Sequence, residues 1–245
     1  MSVHVFGEPG VQFHIASLPL ISIVIPVYGD TDALADLLRS TDFGDAQVIV
    51  AATRSDALTF VSVRASYPGI VWTESERGRS RQMNAGAAAA IGDWILFLHA
   101  DTRLSPGWRN AIADAGVLPE VVAGCFRFSL DLDSLTARAI ELGVRLRVAL
   151  FGLPYGDQGL FVRRDVFRAI GGYGDLPIME DVDLVLRLRT QGAMWRSPLP
   201  ARTSARRWQR DGWLRRTTTN VALILLYFAG VPPARLARLD GRKFI

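Results

Sequence analysis

Between residues 21 and 98, short apolar runs alternate with stretches of helical periodicity. No other feature of the 245-residue chain limits its fold more. The run Ile21-Ser22-Ile23-Val24-Ile25-Pro26-Val27 is β-branched and almost wholly apolar, as suits a strand covered on both faces. Pro26 is expected to end it. Asp30 or Thr31 can cap a helix reaching about Ser40, with Ala33, Leu34, Leu37 and Leu38 on one face. The pattern repeats with a strand over 46–52, a helix over 55–65 and a strand over 69–73. An alanine-rich helix over 79–91 and a strand over 93–98 follow. Such alternation implies parallel βαβ units. Ligands of open parallel sheets bind beyond the carboxyl ends of the strands. Those ends carry Pro26-Val27-Tyr28, Ala52-Thr53 and His99-Ala100-Asp101.

The second half is less regular. Its pattern predicts a strand over 123–130, an amphipathic helix over 134–150, a short strand over 159–162 and a helix over 164–170. A further helix is expected over 181–191, with Val182, Leu184, Val185, Leu186 and Leu188 apolar. No Pro/Gly/Ser-rich linker separates the halves. The expectation is therefore an α/β fold with a mostly parallel sheet, its N-terminal half Rossmann-like and its C-terminal half mixed. One domain would cover 19–212, after a loose leader over 1–18. An apolar and basic helical segment over 213–245 would pack on the domain or form an interface. Its apolar core, residues 221–229, is shorter than the roughly 20 residues a membrane span needs. Arg215 and Arg216 precede it, and Arg235 and Arg238 follow. It reads either as a buried helix or as one touching anionic lipid or a second subunit.

Composition removes several classes of function. Cys125 is the single cysteine, which excludes an intramolecular disulfide and a cysteine-based zinc site. Three scattered histidines make no metal cluster. The first twenty residues lack the basic start and apolar run of a signal peptide, so a cytoplasmic location is expected, with membrane contact limited to the inner face. The net charge is +4 and Lys243 is the only lysine. Arginine's planar fork suits diphosphates, although a high-GC genome gives the same bias. No basic stripe interleaved with aromatics is visible, so nucleic acid is not expected as a partner.

Four clusters can carry chemistry. Asp101, just past a buried strand, is placed to hold a divalent cation at the mouth of the sheet, or else to cap the next helix. His99 and Ala100 share that strand end. Glu180, Asp181 and Asp183 open a helix, where negative charge is stabilising in its own right. Adjacent Glu180 and Asp181 project differently, so one can orient while the other acts as general base. Gly156-Asp157-Gln158-Gly159 is either a tight turn or a loop approaching a ligand. Gly78, Arg79, Arg81, Gln82 and Asn84 stand at a helix start, as an anion site or a solvated turn.

Taken in order, Ile25-Pro26-Val27-Tyr28, Arg81-Gln82-Met83-Asn84-Ala85-Gly86, His99-Ala100-Asp101, Gly156-Asp157-Gln158-Gly159, Gly171-Gly172-Tyr173 and Glu180-Asp181 resemble family 2 glycosyltransferases of GT-A fold. The match runs over roughly residues 20–210. Residues 156–192 further resemble the bacterial arsenosugar-biosynthesis-type, or radical-SAM/selenodomain-associated, subgroup. The resemblance implies that Pro26, Val27 and Tyr28 line a nucleoside pocket, with Arg81 and Asn84 near the base or ribose. Asp101 matches the last acid of the Asp-X-Asp motif and would hold Mg²⁺ or Mn²⁺. Asp181 matches the catalytic base, beside Glu180. Asp157 and Gln158 would face the transferred sugar or the acceptor. Arg207-Trp208 is similar to the end of the Gln-X-X-Arg-Trp element, with serine at 204 in place of the glutamine. His99 replaces the first acid of Asp-X-Asp, and Ala51-Ala52-Thr53 stand where an acid often follows the second strand.

The implied function is an inverting transfer of sugar from a nucleotide-diphosphate-sugar donor to a hydroxyl acceptor, assisted by a divalent metal. The C-terminal segment would contact a membrane surface or a second copy of the chain. A nucleotidyltransferase on a related fold and a non-catalytic membrane-surface or partner-binding module are the alternatives.

Overall fold

The computed structural model of the protein describes residues 18–56 and 58–241; the expected leader, apart from Leu18, and Lys243 lie outside them. Strands β1 (Ile21–Val27), β2 (Gln47–Thr53), β3 (Val71–Ser75) and β4 (Trp94–Phe97) form the parallel half. They stand in the order β3-β2-β1-β4. Helices α1 (Thr31–Ser40), α2 (Val61–Ser66) and α3 (Arg79–Ala88) make the crossovers. Asp30 caps α1, its carboxylate accepting from the Ala33 amide at 3.2 Å.

The sheet is built to be covered twice. Ile21, Ile23, Ile25 and Val27 of β1 face one core with Leu34 and Leu37 of α1. Val24 faces the other, with Ile49, Ile95, Phe97 and Met83 of α3. Alternate residues of a strand point to opposite faces, so an unbroken apolar run needs two partners.

The remaining strands are β5 (Thr102–Leu104), β6 (Val121–Leu130), β7 (Leu160–Arg163) and β8 (Ala193–Thr203). They extend the sheet past β4 as β7-β6-β8-β5. Here β7 runs antiparallel to both β4 and β6, β8 runs parallel to β6, and β5 is antiparallel to β8. Helices α4 (Trp108–Val117), α5 (Leu135–Phe151), α6 (Arg164–Ala169) and α7 (Glu180–Leu188) pack around it. After β8 come α8 (Arg206–Asp211), α9 (Trp213–Phe228) and α10 (Pro233–Leu239).

Several expectations are corrected. Pro26 does not end β1; it stays in parallel register with Ala51. The β4 ladder has already stopped at Val24, so Pro26 lies where one side of the strand needs no donor. The helix expected over 55–65 is a 3-10 turn at Arg54–Asp56 followed by α2. The Asp56 carboxylate accepts from the Gly29 amide at 2.8 Å, a long-range tie that local propensity does not contain. Strands β5 and β8 were not expected. Pro198 and Pro200 interrupt the strand pattern of β8 in the sequence. In register, Cys125 pairs with Arg196 and Arg127 with Pro200, so the prolines fall at a bulge. Asp101 does not cap α4, which starts at Trp108 behind Gly107.

Candidate active site

Crossovers leave β1 toward β2 on one side and arrive at β4 on the other. The chain therefore switches direction between these two strands, and their carboxyl ends frame a crevice. A cleft of about 790 Å³ opens there. Pro26, Val27, Tyr28, Gly78, Arg79, Arg81, Gln82, His99, Ala100 and Asp101 all line it. It continues into an inner chamber of about 120 Å³ walled by Arg79, His99, Asp101, Asp157, Glu180, Asp181 and Trp208. Arg207 lines both spaces.

Two expected binding residues face elsewhere. Asn84 spends its amide on Tyr173, donating to the carbonyl at 2.8 Å and accepting from the N–H at 2.9 Å. Gln158 is buried; it donates to the Phe126 carbonyl at 3.1 Å and accepts from the Tyr155 amide at 3.2 Å. Both build the wall instead of lining it. Gln82 does part of each job. Its Nε2 donates to the Val27 carbonyl and, at 2.9 Å, to the Ala51 carbonyl. It thereby ties the ends of β1 and β2 beneath the cleft.

In the outer cleft, away from its shared wall with the chamber, the charged groups are paired or wet. Arg81 makes a bidentate pair with Asp175 at 2.8 Å on both arms. Tyr28 is half exposed, with the Arg77 guanidinium 4.5 Å from its ring centre.

The inner chamber differs. The Asp181 carboxylate accepts from the Gly156 amide through Oδ2 at 3.0 Å, while its Oδ1 is buried without a partner. Burial first, then the Glu180 charge, raises its pKa to about 7. Glu180 pairs with Arg79 at 3.4 Å. The Arg79 guanidinium is held above its ordinary value despite burial, because Glu180, Asp181, Asp101 and Asp157 all act on it. Asp157 is raised, again by burial first. His99 is pushed well below its usual value by burial and then by Arg79 and Arg207, so the imidazole is neutral. Its Nε2 and the Oδ1 atoms of Asp101 and Asp157 are also buried without partners.

Local backbone sets this geometry. A Cβ on Gly156 would fall 2.9 Å from His99 Nε2 and 2.8 and 2.9 Å from the Asp181 oxygens. Glycine is needed because the turn passes between those side chains. Met179 has φ of 66°, the one non-glycine residue with positive φ among those described. It turns the chain so that Glu180 and Asp181 begin α7 facing inward, at a cost of about 1 kcal/mol. The turn is backed by Ile178, Leu223 of α9 and Leu236 of α10, which share one apolar cluster.

The C-terminal share of the chamber was not expected from the sequence. Arg216, Asn220, Leu223 and Asp240 contribute to its wall. Their only signal was a basic, apolar segment, with nothing to show which face turned inward.

Known proteins resemble parts of this chain. Residues 22–141 match the model for "Glycosyl transferase family 2". An uncharacterized glycosyltransferase of Haemophilus influenzae is 29% identical over 91 residues, which cover 36% of this chain and 31% of that protein. The mannosyltransferase PcManGT from Pyrobaculum calidifontis, solved with GDP-Man and Mn²⁺, superposes with a TM-score of 0.56 at 18% identity. The match covers 76% of this chain and 57% of that one. S. aureus TarS 1-349 gives a TM-score of 0.57 at 13% identity, over 76% and 60% of the two chains. In complex with UDP-GlcNAc it gives 0.54 at 13% identity, over 76% and 58%. The chain thus spans about a third of the curated relative and under two thirds of these solved chains. Asp157, Glu180 and Asp181 lie beyond the family match. Residues 22–141 are thus similar to glycosyl transferase family 2, within an α/β fold that matches GT-A glycosyltransferase structures.

Proposed function

We propose that the protein moves a sugar from a nucleotide-diphosphate-sugar donor to a hydroxyl acceptor by single displacement, with inversion. One observation carries this reading. A carboxyl raised to about 7, with one oxygen unpartnered, faces a chamber continuous with a cleft at the switch point of the sheet.

The donor occupies the outer cleft, its nucleoside between Tyr28 and the start of α3. The diphosphate reaches Arg79 and Arg207, which stabilise the charge that develops on the leaving group. Asp181 takes the acceptor proton; a base with pKa near the working pH suits that task. Glu180 keeps Asp181 from ionising too early and holds Arg79. Neutral His99 has a buried nitrogen to offer a sugar hydroxyl or phosphate oxygen. Asp157 meets the transferred sugar.

The residues fit Mg²⁺ or Mn²⁺ at Asp101. Its Oδ1 is buried and unpartnered beside the cleft, and no cluster of three His, Cys, Asp or Glu ligands exists among the described residues. That suits a cation taking most of its oxygens from diphosphate and water. Bound there, it would neutralise charge on the leaving group.

Residues 19–212 are proposed as the catalytic unit, with the segment over 213–245 packed on it. Among the described residues no helix is long and apolar enough to cross a membrane. The proposed location is cytoplasmic. The exposed Leu214, Val221, Leu225 and Phe228 of α9 are the proposed contact with the inner membrane face or a second copy. Within the family, residues 156–192 ally the chain with the arsenosugar-type subgroup, a grouping that specifies no acceptor.

The test is product analysis on a panel of nucleotide sugars with Mn²⁺. Nucleoside diphosphate release is expected; pyrophosphate release would mean nucleotidyl transfer and end this reading.

A further inference from the structure

The inner chamber has a second opening, away from the donor cleft. Arg79, Arg207, Arg216 and Asp240 belong to the chamber wall and also to a cavity of about 480 Å³ on the α8–α9 side. That cavity adds Arg210, Arg215, Asp211, Thr219 and Leu239. Five arginines thus face two aspartates. Arg210, Arg215 and Arg216 take no part in lining the donor cleft.

We propose that this vestibule binds an anionic group, phosphate or carboxylate, carried by the acceptor, and so aims the acceptor hydroxyl at Asp181. The word acceptor rests on the transferase reading above; the anion site does not.

The break between α8 and α9 creates the site. Gly212, with φ of 85°, turns the chain so that Arg210 at the end of α8 and Arg215 and Arg216 in the first turn of α9 share one cavity. No side chain caps the start of α9, so its first amides add positive potential there. Arg79 is held by Glu180, and the other four arginines still outnumber the two acids of the cavity. Asp211 serves Arg210 at 2.7 Å and reaches Arg216 only at 4.0 Å. Asp240 meets Arg216 at 3.4 Å. Arg207 reaches Asp101 only at 3.8 Å. An anion entering here meets Arg210, Arg215 and Arg216, none of which the donor cleft uses. Arginine forks give phosphate and carboxylate bidentate hydrogen bonds, which a neutral hydroxyl compound cannot match. The volume suits a small phosphorylated molecule or a lipid headgroup. The donor then enters past Tyr28 and the acceptor past Arg215, and the two meet in the chamber.

The experiment uses the full chain with the donor cleft saturated by nucleoside diphosphate and Mn²⁺. Glycerol 3-phosphate and glycerol are compared as soluble probes by thermal shift. Vesicles of phosphatidic acid and of phosphatidylcholine are compared by sedimentation. Glycerol 3-phosphate, or phosphatidic acid vesicles if the group is a headgroup, should bind at least about tenfold better than the neutral counterpart. The double variant R210A/R215A should lose that preference while keeping nucleoside diphosphate binding, and R210K/R215K should restore part of it. The proposal is overturned if neither phosphate probe is preferred, or if R210A/R215A keeps the preference. Nucleoside diphosphate that fails to raise the parent's melting temperature would count against the transferase reading instead. The arginine-dependent phosphate response would still stand.

Discussion

The outer cleft and the inner chamber treat polar groups in opposite ways. Outside, Arg81 has Asp175, Gln82 has two strand carbonyls, and Tyr28 and Arg77 are wet. Inside, His99 Nε2, Trp208 Nε1 and one oxygen each of Asp101, Asp157 and Asp181 are buried without partners. Native proteins leave few such groups, because each costs about 1–3 kcal/mol. Their concentration in one small chamber marks where ligand atoms are needed. The cleft's polar groups are satisfied by the protein itself; those of the chamber, on the proposed reading, await substrate.

Four substitutions can break or sharpen that contrast. The largest effect is expected from Asp181→Asn. Loss of the base should lower kcat by about 10²–10⁴-fold, measured as nucleoside diphosphate release under saturating substrates. In the parent, kcat/KM should fall as pH drops below about 7. The stability effect has the opposite sign. The folded state holds the Asp181 proton more tightly than the unfolded chain does. This group's contribution is therefore greatest below about pH 4 and is lost as pH rises to about 7. Asp181→Asn should melt above the parent at pH 8, with the gap narrowing toward pH 4. A variant that melts lower at pH 8 would mean the folded chain does not hold that proton more tightly.

Arg79→Ala comes next. It strands Glu180 and Asp181 without their cation. Stability should fall by roughly 3 kcal/mol in denaturant titration, and nucleotide binding should fail even under stabilising conditions. Gln82→Ala should cost about 1–3 kcal/mol of stability and raise the donor KM more than it lowers kcat. Equal losses in both kinetic constants would place Gln82 at the chemical end instead. Tyr28→Ala should leave stability unchanged and weaken the donor by only about 0.5–1 kcal/mol, a few-fold in KM.

The two regions were also unequally legible in sequence. The parallel half was readable because each strand is buried on both faces and each helix carries its own period. β8 was not, because Pro198 and Pro200 lie at a bulge whose partner, β6, is some 70 residues away in sequence. At the candidate site, Asp181 and Asp101 could be singled out from their places beside structural elements and from the order of motifs, and both line the chamber. Asn84 and Gln158 were assigned to ligand although they bind backbone. An amide looks the same in sequence whichever it bonds, and only the tertiary position of Tyr173 and Phe126 decides. Arg216, Asn220 and Asp240 were invisible as site residues because helical periodicity locates a face but not what it faces.

Helix α3 joins the two regions, and that has a consequence for how such an enzyme can vary. Within six residues it sends Arg79 to Glu180, Gln82 to the ends of β1 and β2, and Asn84 to the turn before α7. It acts as a ruler whose graduations are hydrogen bonds. Under the proposed function, the distance from nucleotide to base would be set by one rigid segment, independently of what lines the cleft. Under the same reading, changes at Tyr28, Arg77 or Asp175 would retune which nucleotide is accepted without moving the reacting atoms. A change in α3 alters the scale for every substrate at once.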